Sequence, residues 1–231
     1  GKSISPDLAA SIWQLQAMVS VGHGDVNSAN LLLEAARAQW EKKRDAQRMA
    51  SIWCFIAHRE IIAGNFVRAQ TRADMAFANF VSRKNLYGQV ISRTLQGASL
   101  VRQGETRVPE IYLAEARKIA NSIGANLAAL DSAEAVAELR AAQADWRGCV
   151  GLIAYCMTVR KQIGINITPS ETERWVALRS KARLALGIYV VDEIERVASL
   201  QPASLLYTPE LDPLASVPGI RFASGTRAEG K

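Results

Sequence analysis

Gly64-Asn65-Phe66-Val67-Arg68-Ala69 is the stretch on which the fold turns. A glycine that can end one helix, a side chain that can accept from free backbone amides, an aromatic residue and an alanine together make a helix stop and a helix start in one tight turn. The same kind of turn stands at Gly24-Asp25-Val26, Gly104-Glu105-Thr106 and Ala144-Asp145-Trp146, so the four follow one another at 40-residue intervals. Seven residues before them lie Ala17, Ala57, Gly97 and Ala137, and twelve residues beyond lie Ala36, Ala76, Ala116 and Cys156. Small side chains in both columns let the backbones of two helices approach closely, which gives the period a packing cause.

Between the turns leucine, alanine, arginine and glutamate dominate and β-branched runs are scarce, so each unit is two helices. The pattern predicts helices at about 6–21, 25–42, 45–62, 65–82, 86–102, 107–122, 126–142, 145–163, 169–186 and 189–199. Asp25, Asn65 and Asp145 are expected to cap second helices, and Gly22, Gly64 and Gly104 to close first ones. Ser5-Pro6-Asp7 opens the first helix, and Thr168-Pro169-Ser170-Glu171 is a proline-plus-capping-box start for the last pair.

The turn at Gly64-Asn65-Phe66 with Ala69, and Trp53, Ala57 and Ala76 around it, resembles the tetratricopeptide repeat; Trp13, Ala17, Ala29 and Ala36 repeat the set around Gly24. The match decays along the chain, where the tryptophan position becomes Arg93 and then Ala133, and the alanine after the turn becomes Pro109 and then Cys149. The tetratricopeptide unit has about 34 residues. Units near forty look like the helical-repeat sensor domain of large bacterial signal-transduction ATPases, the maltose activator and related LuxR-type regulators. The resemblance covers roughly residues 6–200 and implies an all-α fold, a right-handed α-solenoid of about five antiparallel helical pairs, in a cytoplasmic recognition module.

Composition agrees with a folded, soluble chain: 231 residues, 49% hydrophobic and 22% charged, enough for a real core and too apolar for disorder. Three cysteines cannot make a disulfide scaffold at this length. The longest uncharged apolar run, Gly148 to Val159, is too short to span a bilayer. Gly1-Lys2-Ser3 reads as the remnant of an expression leader (residues 1–5), since a phosphate-binding loop ending in Gly-Lys-Ser needs a preceding strand and an upstream glycine. The repeats then occupy 6–200. From 201 to 231 a tail carries four of the seven prolines, Pro202, Pro209, Pro213 and Pro218, with the apolar Leu205, Leu206, Tyr207, Leu211, Leu214, Ile220 and Phe222. It is expected to strap onto the open end of the last pair, in preference to the groove around Met18 and Ile61.

No constellation of catalytic type stands out. The histidines, His23 and His58, have no nucleophile partner and no ligand cluster that would hold a metal, so neither catalysis nor a cofactor is expected. Cys54, Cys149 and Cys156 fit buried structural roles. Ile167-Thr168-Pro169-Ser170-Glu171 with Arg174 and Val176 echoes the opening of the LuxR-type DNA-binding domain, but Lys181-Ala182-Arg183-Leu184-Ala185-Leu186-Gly187 fits the end of a repeat helix and leaves no recognition helix. Charge is uneven: residues 1–120 hold sixteen Lys and Arg against ten Asp and Glu, whereas residues 121–231 hold twelve of each. Lys42, Lys43, Arg44, Arg48, Arg83 and Lys84 gather at successive unit junctions as a basic ridge, suited to phosphate backbones or an acidic partner.

The expected function is non-enzymatic recognition of a protein, a peptide or a small effector in a concave groove lined by first helices. Family groove positions fall on Gln14, Met18, Cys54, His58, Ile61, Thr94, Ala98, Arg102, Glu134 and Glu138, an apolar first half and an acidic second. A nucleic-acid-binding solenoid and a peptide-pheromone receptor domain are the alternatives. Self-association stays open, and no membrane partner is expected.

Overall fold

The computed structural model describes residues 4–23, 25–207 and 213. These residues are 84% helical and contain no strand. Ten α-helices follow in order: α1 (Pro6–Gly22), α2 (Val26–Lys42), α3 (Ala46–Ile62), α4 (Phe66–Ser82), α5 (Leu86–Arg102), α6 (Arg107–Ile123), α7 (Asn126–Ala142), α8 (Trp146–Gln162), α9 (Pro169–Leu186) and α10 (Ile188–Ser199), then a short 3-10 helix, Ala203–Tyr207. Consecutive helices pack against one another along the whole series. The expected boundaries hold to within one residue. None of these helices is long and apolar enough to cross a membrane.

The structural period is finer than the sequence pattern. Helices α1 to α8 each have 17 residues, a length of about 25 Å. Arg44, Gly64, Lys84, Gly104, Gly124, Ala144 and Gly164, one every twenty residues, take left-handed backbone with φ between 54° and 91°. At each such turn the following amide donates back to a carbonyl five residues earlier, as Asp45 N does to Trp40 O at 3.0 Å, Asn85 N to Phe80 O at 2.9 Å and Asp145 N to Arg140 O at 2.8 Å. This 6→1 bond satisfies a helix-end carbonyl, and the same bond recurs at every turn from Arg44 to Gly164.

The next residue starts the following helix. Asp25, Asp45, Asn85 and Asp145 each accept from the amide three residues on. Asn65 departs from expectation and makes no cap bond: its Nδ2 donates instead to Glu60 Oε2 at 2.7 Å, drawn away by a buried carboxylate. Gly22 also differs, since α1 runs through it and His23 is its C-cap; Gly24 lies outside the described residues. The capping box at Thr168 and Glu171 is formed.

Both small-residue columns are buried: Ala17, Ala57, Gly97 and Ala137 in first helices, and Ala36, Ala76, Ala116 and Cys156 in second ones. At Gly97 the approach is closest, where a Cβ would lie 2.7 Å from the Leu113 side chain of α6. Helix α7 is apolar on most of its surface because α5, α6 and α8 all pack on it. The last pair leaves the register through a longer connection, residues 163–168, and a shorter α10. Beyond it the 3-10 helix packs on α7, Tyr155 Oη of α8 donates to Ala203 O at 2.9 Å, and Leu206 is buried in the cluster that also holds Val197 and Ala198 of α10. Leu211, Leu214, Ile220 and Phe222, on which the strap was also expected to rest, lie outside the described residues.

Candidate ligand site on the concave face

The forty-residue register carries Gln14, Cys54, Thr94 and Glu134 in one column and Met18, His58, Ala98 and Glu138 in another, on α1, α3, α5 and α7. The structure divides these residues into three groups. Met18 and His58 line a cavity. Cys54 and Ile61 are buried in the apolar cluster that α3 forms with α4 and α5, while Gln14, Thr94 and Ala98 are half-buried between helices. The Thr94 hydroxyl oxygen is buried and makes no hydrogen bond. Arg102, Glu134 and Glu138 belong to ion-pair networks.

The cavity has a volume of about 220 Å³. Ala17, Met18 and Val21 of α1, Leu33 of α2 and Phe55 and Ile62 of α3 make its apolar wall. Thr168, Ser170, Glu171 and Arg174, from the start of α9, face them together with His58. The helical stack therefore curls far enough to bring the start of α9 to α1, α2 and α3. The start of α9 is the part of the site that sequence reasoning missed. Its capping box was visible, but its approach to α1 depends on curvature summed over all the intervening units.

His58 is exposed to the open side of the cavity, with residues of several helices gathered around its imidazole. Partial loss of hydration among these neighbours holds the imidazole below its ordinary pKa; nearby Glu171 opposes the shift, and Arg174 and Arg102 add to it. It is thus a neutral group at pH 7, able both to donate and to accept a hydrogen bond. Thr168, Ser170 and Glu171 largely satisfy one another through the capping box.

A chain of ion pairs runs beside the cavity. Arg102 donates to both oxygens of Glu138, Nε to Oε2 at 2.9 Å and Nη2 to Oε1 at 3.0 Å, and its Nη1 reaches Ile61 O at 3.4 Å. Arg174 Nε lies 2.9 Å from Glu138 Oε1. One carboxylate thereby gathers α3, α5, α7 and α9. Deeper, Arg160 of α8 donates to both oxygens of Glu134 at 2.6 and 3.0 Å and lies near Asp131 and Glu171. The second half of the groove, expected to be acidic, is instead neutralised by arginines, two of them from α8 and α9.

The basic ridge is also partly spoken for. Lys43 pairs with Asp7, and Arg48 stacks on Trp40, pairs with Asp45 and donates to Ser11. Lys42, Arg44, Arg83 and Lys84 are exposed at the α2–α3 and α4–α5 turns and make no ion pair among the described residues. The thiols of Cys54 and Cys149 are pushed up to about 12 by burial, and that of Cys156 also rises, so none is a thiolate at neutral pH. Among the described residues no group of three or more His, Cys, Asp or Glu is placed to hold a metal ion. What this arrangement can do is hold a compact apolar group non-covalently against one hydrogen-bonding imidazole. Comparison with protein-family models, with curated proteins and with solved structures gives no match for this chain.

Proposed function

We propose that the chain is a non-enzymatic recognition module: a right-handed α-solenoid of antiparallel helical pairs, tetratricopeptide-like, that binds a ligand in its concave face as the sensor part of a cytoplasmic signalling or transcription-regulatory protein. One observation carries this reading, the cavity whose apolar wall comes from α1 to α3 and whose polar lip comes from α9. A ligand seated there touches both ends of the stack, so binding and curvature are coupled. The ligand class is a small molecule or a single side chain of a peptide, with an apolar body for Met18, Val21 and Phe55 and one hydrogen-bonding group for His58.

A thermal-shift screen of small amphipathic compounds, amino acids and dipeptides tests the proposal. A true ligand raises the melting temperature of the wild type, and the shift disappears in Met18→Trp, which fills the mouth of the cavity from an exposed position. Shifts that persist in Met18→Trp, or a complete lack of them, would overturn it.

A further inference from the structure

The start of α9 brings two opposite charges to the cavity, Glu171 and Arg174. Residues three apart on a helix are neighbours, about 5–6 Å apart at Cβ. Among the described residues these two nevertheless make no ion pair with each other, and each is left incomplete by its other partners. Arg102 takes both oxygens of Glu138 by hydrogen bonds, so one carboxylate answers two guanidinium groups. Arg174 Nε lies 2.9 Å from Glu138 Oε1 but is buried without a directed hydrogen bond, and the side chain makes none elsewhere among the described residues.

Glu171 is half-used in the same way. Its Oε2 accepts from the amide and the hydroxyl of Thr168, at 2.8 Å each. Its Oε1 has only Arg160 Nη2 at 3.8 Å, beyond hydrogen-bond distance. The Glu171 side chain is 18% exposed and that of Arg174 29%, so both stay accessible where they line the cavity. His58 beside them is neutral and adds a hydrogen-bonding group without adding a charge.

A simple carboxylate placed here would meet Arg174 but also face Glu171, and a simple amine would meet Glu171 but face Arg174. An ammonium and a carboxylate on one carbon answer both. We infer that the cavity takes a free α-amino acid with an aliphatic side chain, its carboxylate on Arg174, its ammonium on Glu171 and its side chain against Met18, Val21 and Phe55. This deepens, and rests on, the reading of the cavity as a ligand site. A volume of about 220 Å³ equals roughly seven waters, in the size range of leucine or methionine. A residue within a peptide does not fit the charges, because a peptide bond consumes the ammonium or the carboxylate.

Calorimetric titration of the full chain with leucine, leucinamide and 4-methylpentanoate tests the inference. Leucinamide lacks the carboxylate and 4-methylpentanoate the ammonium, while the apolar body is the same. The wild type should bind leucine at least about tenfold more tightly than either analogue. Arg174→Gln should remove the advantage of leucine over leucinamide. Glu171→Gln, which keeps a capping-box side chain, should remove its advantage over 4-methylpentanoate. Circular dichroism confirms that both variants are folded, and where one is not, the three ligands on the wild type decide alone. An analogue that binds the wild type as tightly as leucine overturns the inference while leaving the cavity a site for an apolar ligand. Leucine binding that is unchanged in both variants also overturns it, since the amino acid then sits elsewhere. So does a failure of all three to bind, after which the broader reading stands or falls on the compound screen with Met18→Trp.

Discussion

Arg102 and Glu138, 36 residues apart in sequence, are locked by two parallel hydrogen bonds, and the same carboxylate also meets Arg174 of α9. The pairing is part-buried, so removing the carboxylate strands two guanidinium groups. Glu138→Ala should lower stability by about 1.5–3 kcal/mol, while Arg174→Ala should cost less because Arg102 still satisfies Glu138. Urea denaturation of both variants checks the order; a neutral Glu138→Ala would mean that the pairs do not hold the concave face together.

The turns supply a second prediction. Lys84 has a Cβ in left-handed backbone, φ 54°, where glycine stands at φ 91° in the next turn, Gly104. Relieving that strain outweighs the extra freedom of glycine in the unfolded chain, so Lys84→Gly should stabilise by up to about 1 kcal/mol, and Gly104→Ala should destabilise by about 1–2 kcal/mol. Equal and opposite effects at the two sites are not required, but a loss of stability in Lys84→Gly would contradict the turn geometry.

Helix contact distance gives the third. Ala57 is fully buried, and a Cβ at position 97 would press on Leu113. Ala57→Leu should cost about 1–3 kcal/mol by overpacking, and Gly97→Ala should also destabilise. Unchanged melting temperatures would show that the columns do not set the spacing of the paired helices.

The forty-residue units were legible because Gly64 and Gly104 mark their turns and the alanine columns mark their contacts. The shared left-handed geometry of the turns was not, since Arg44, Lys84 and Ala144 carry side chains where glycine is the usual sign of a positive φ. Cavity residues divide along the same line. Met18 and His58 follow from local register, whereas Thr168 and Arg174 reach the site only through the bend of the whole stack. Arg160 and Arg174 neutralise the carboxylates Glu134 and Glu138 from helices that a column-by-column reading assigns to no groove.

The fourth prediction concerns pH. Burial raises the Glu134 carboxyl from the ordinary 4.5 to about 7, against Arg160 of α8 and helped by Asp131 of α7 and Glu171 of α9. A carboxyl that holds its proton more tightly in the fold than in the unfolded chain contributes stability that is full below about pH 4.5 and is lost as pH rises through about 7. Between pH 8 and pH 5 the wild type should therefore gain stability relative to Glu134→Gln. A difference between the two that stays constant over this range would show that Arg160 keeps the carboxylate charged throughout.

The uniform step of one helix and one left-handed turn limits how a gene for such a chain can lengthen or shorten. Each step of twenty residues exchanges an inward-facing helix for an outward-facing one, so adding or removing a single step would put Ala98 and Glu138 on the outer surface and send the convex residues Leu31 and Ile111 inward. Only changes in multiples of two steps preserve the sidedness of everything downstream. Pairs of helices, not single ones, are thus the unit in which such a stack can change without inverting its faces, although the seven turns from Arg44 to Gly164 all share a left-handed residue.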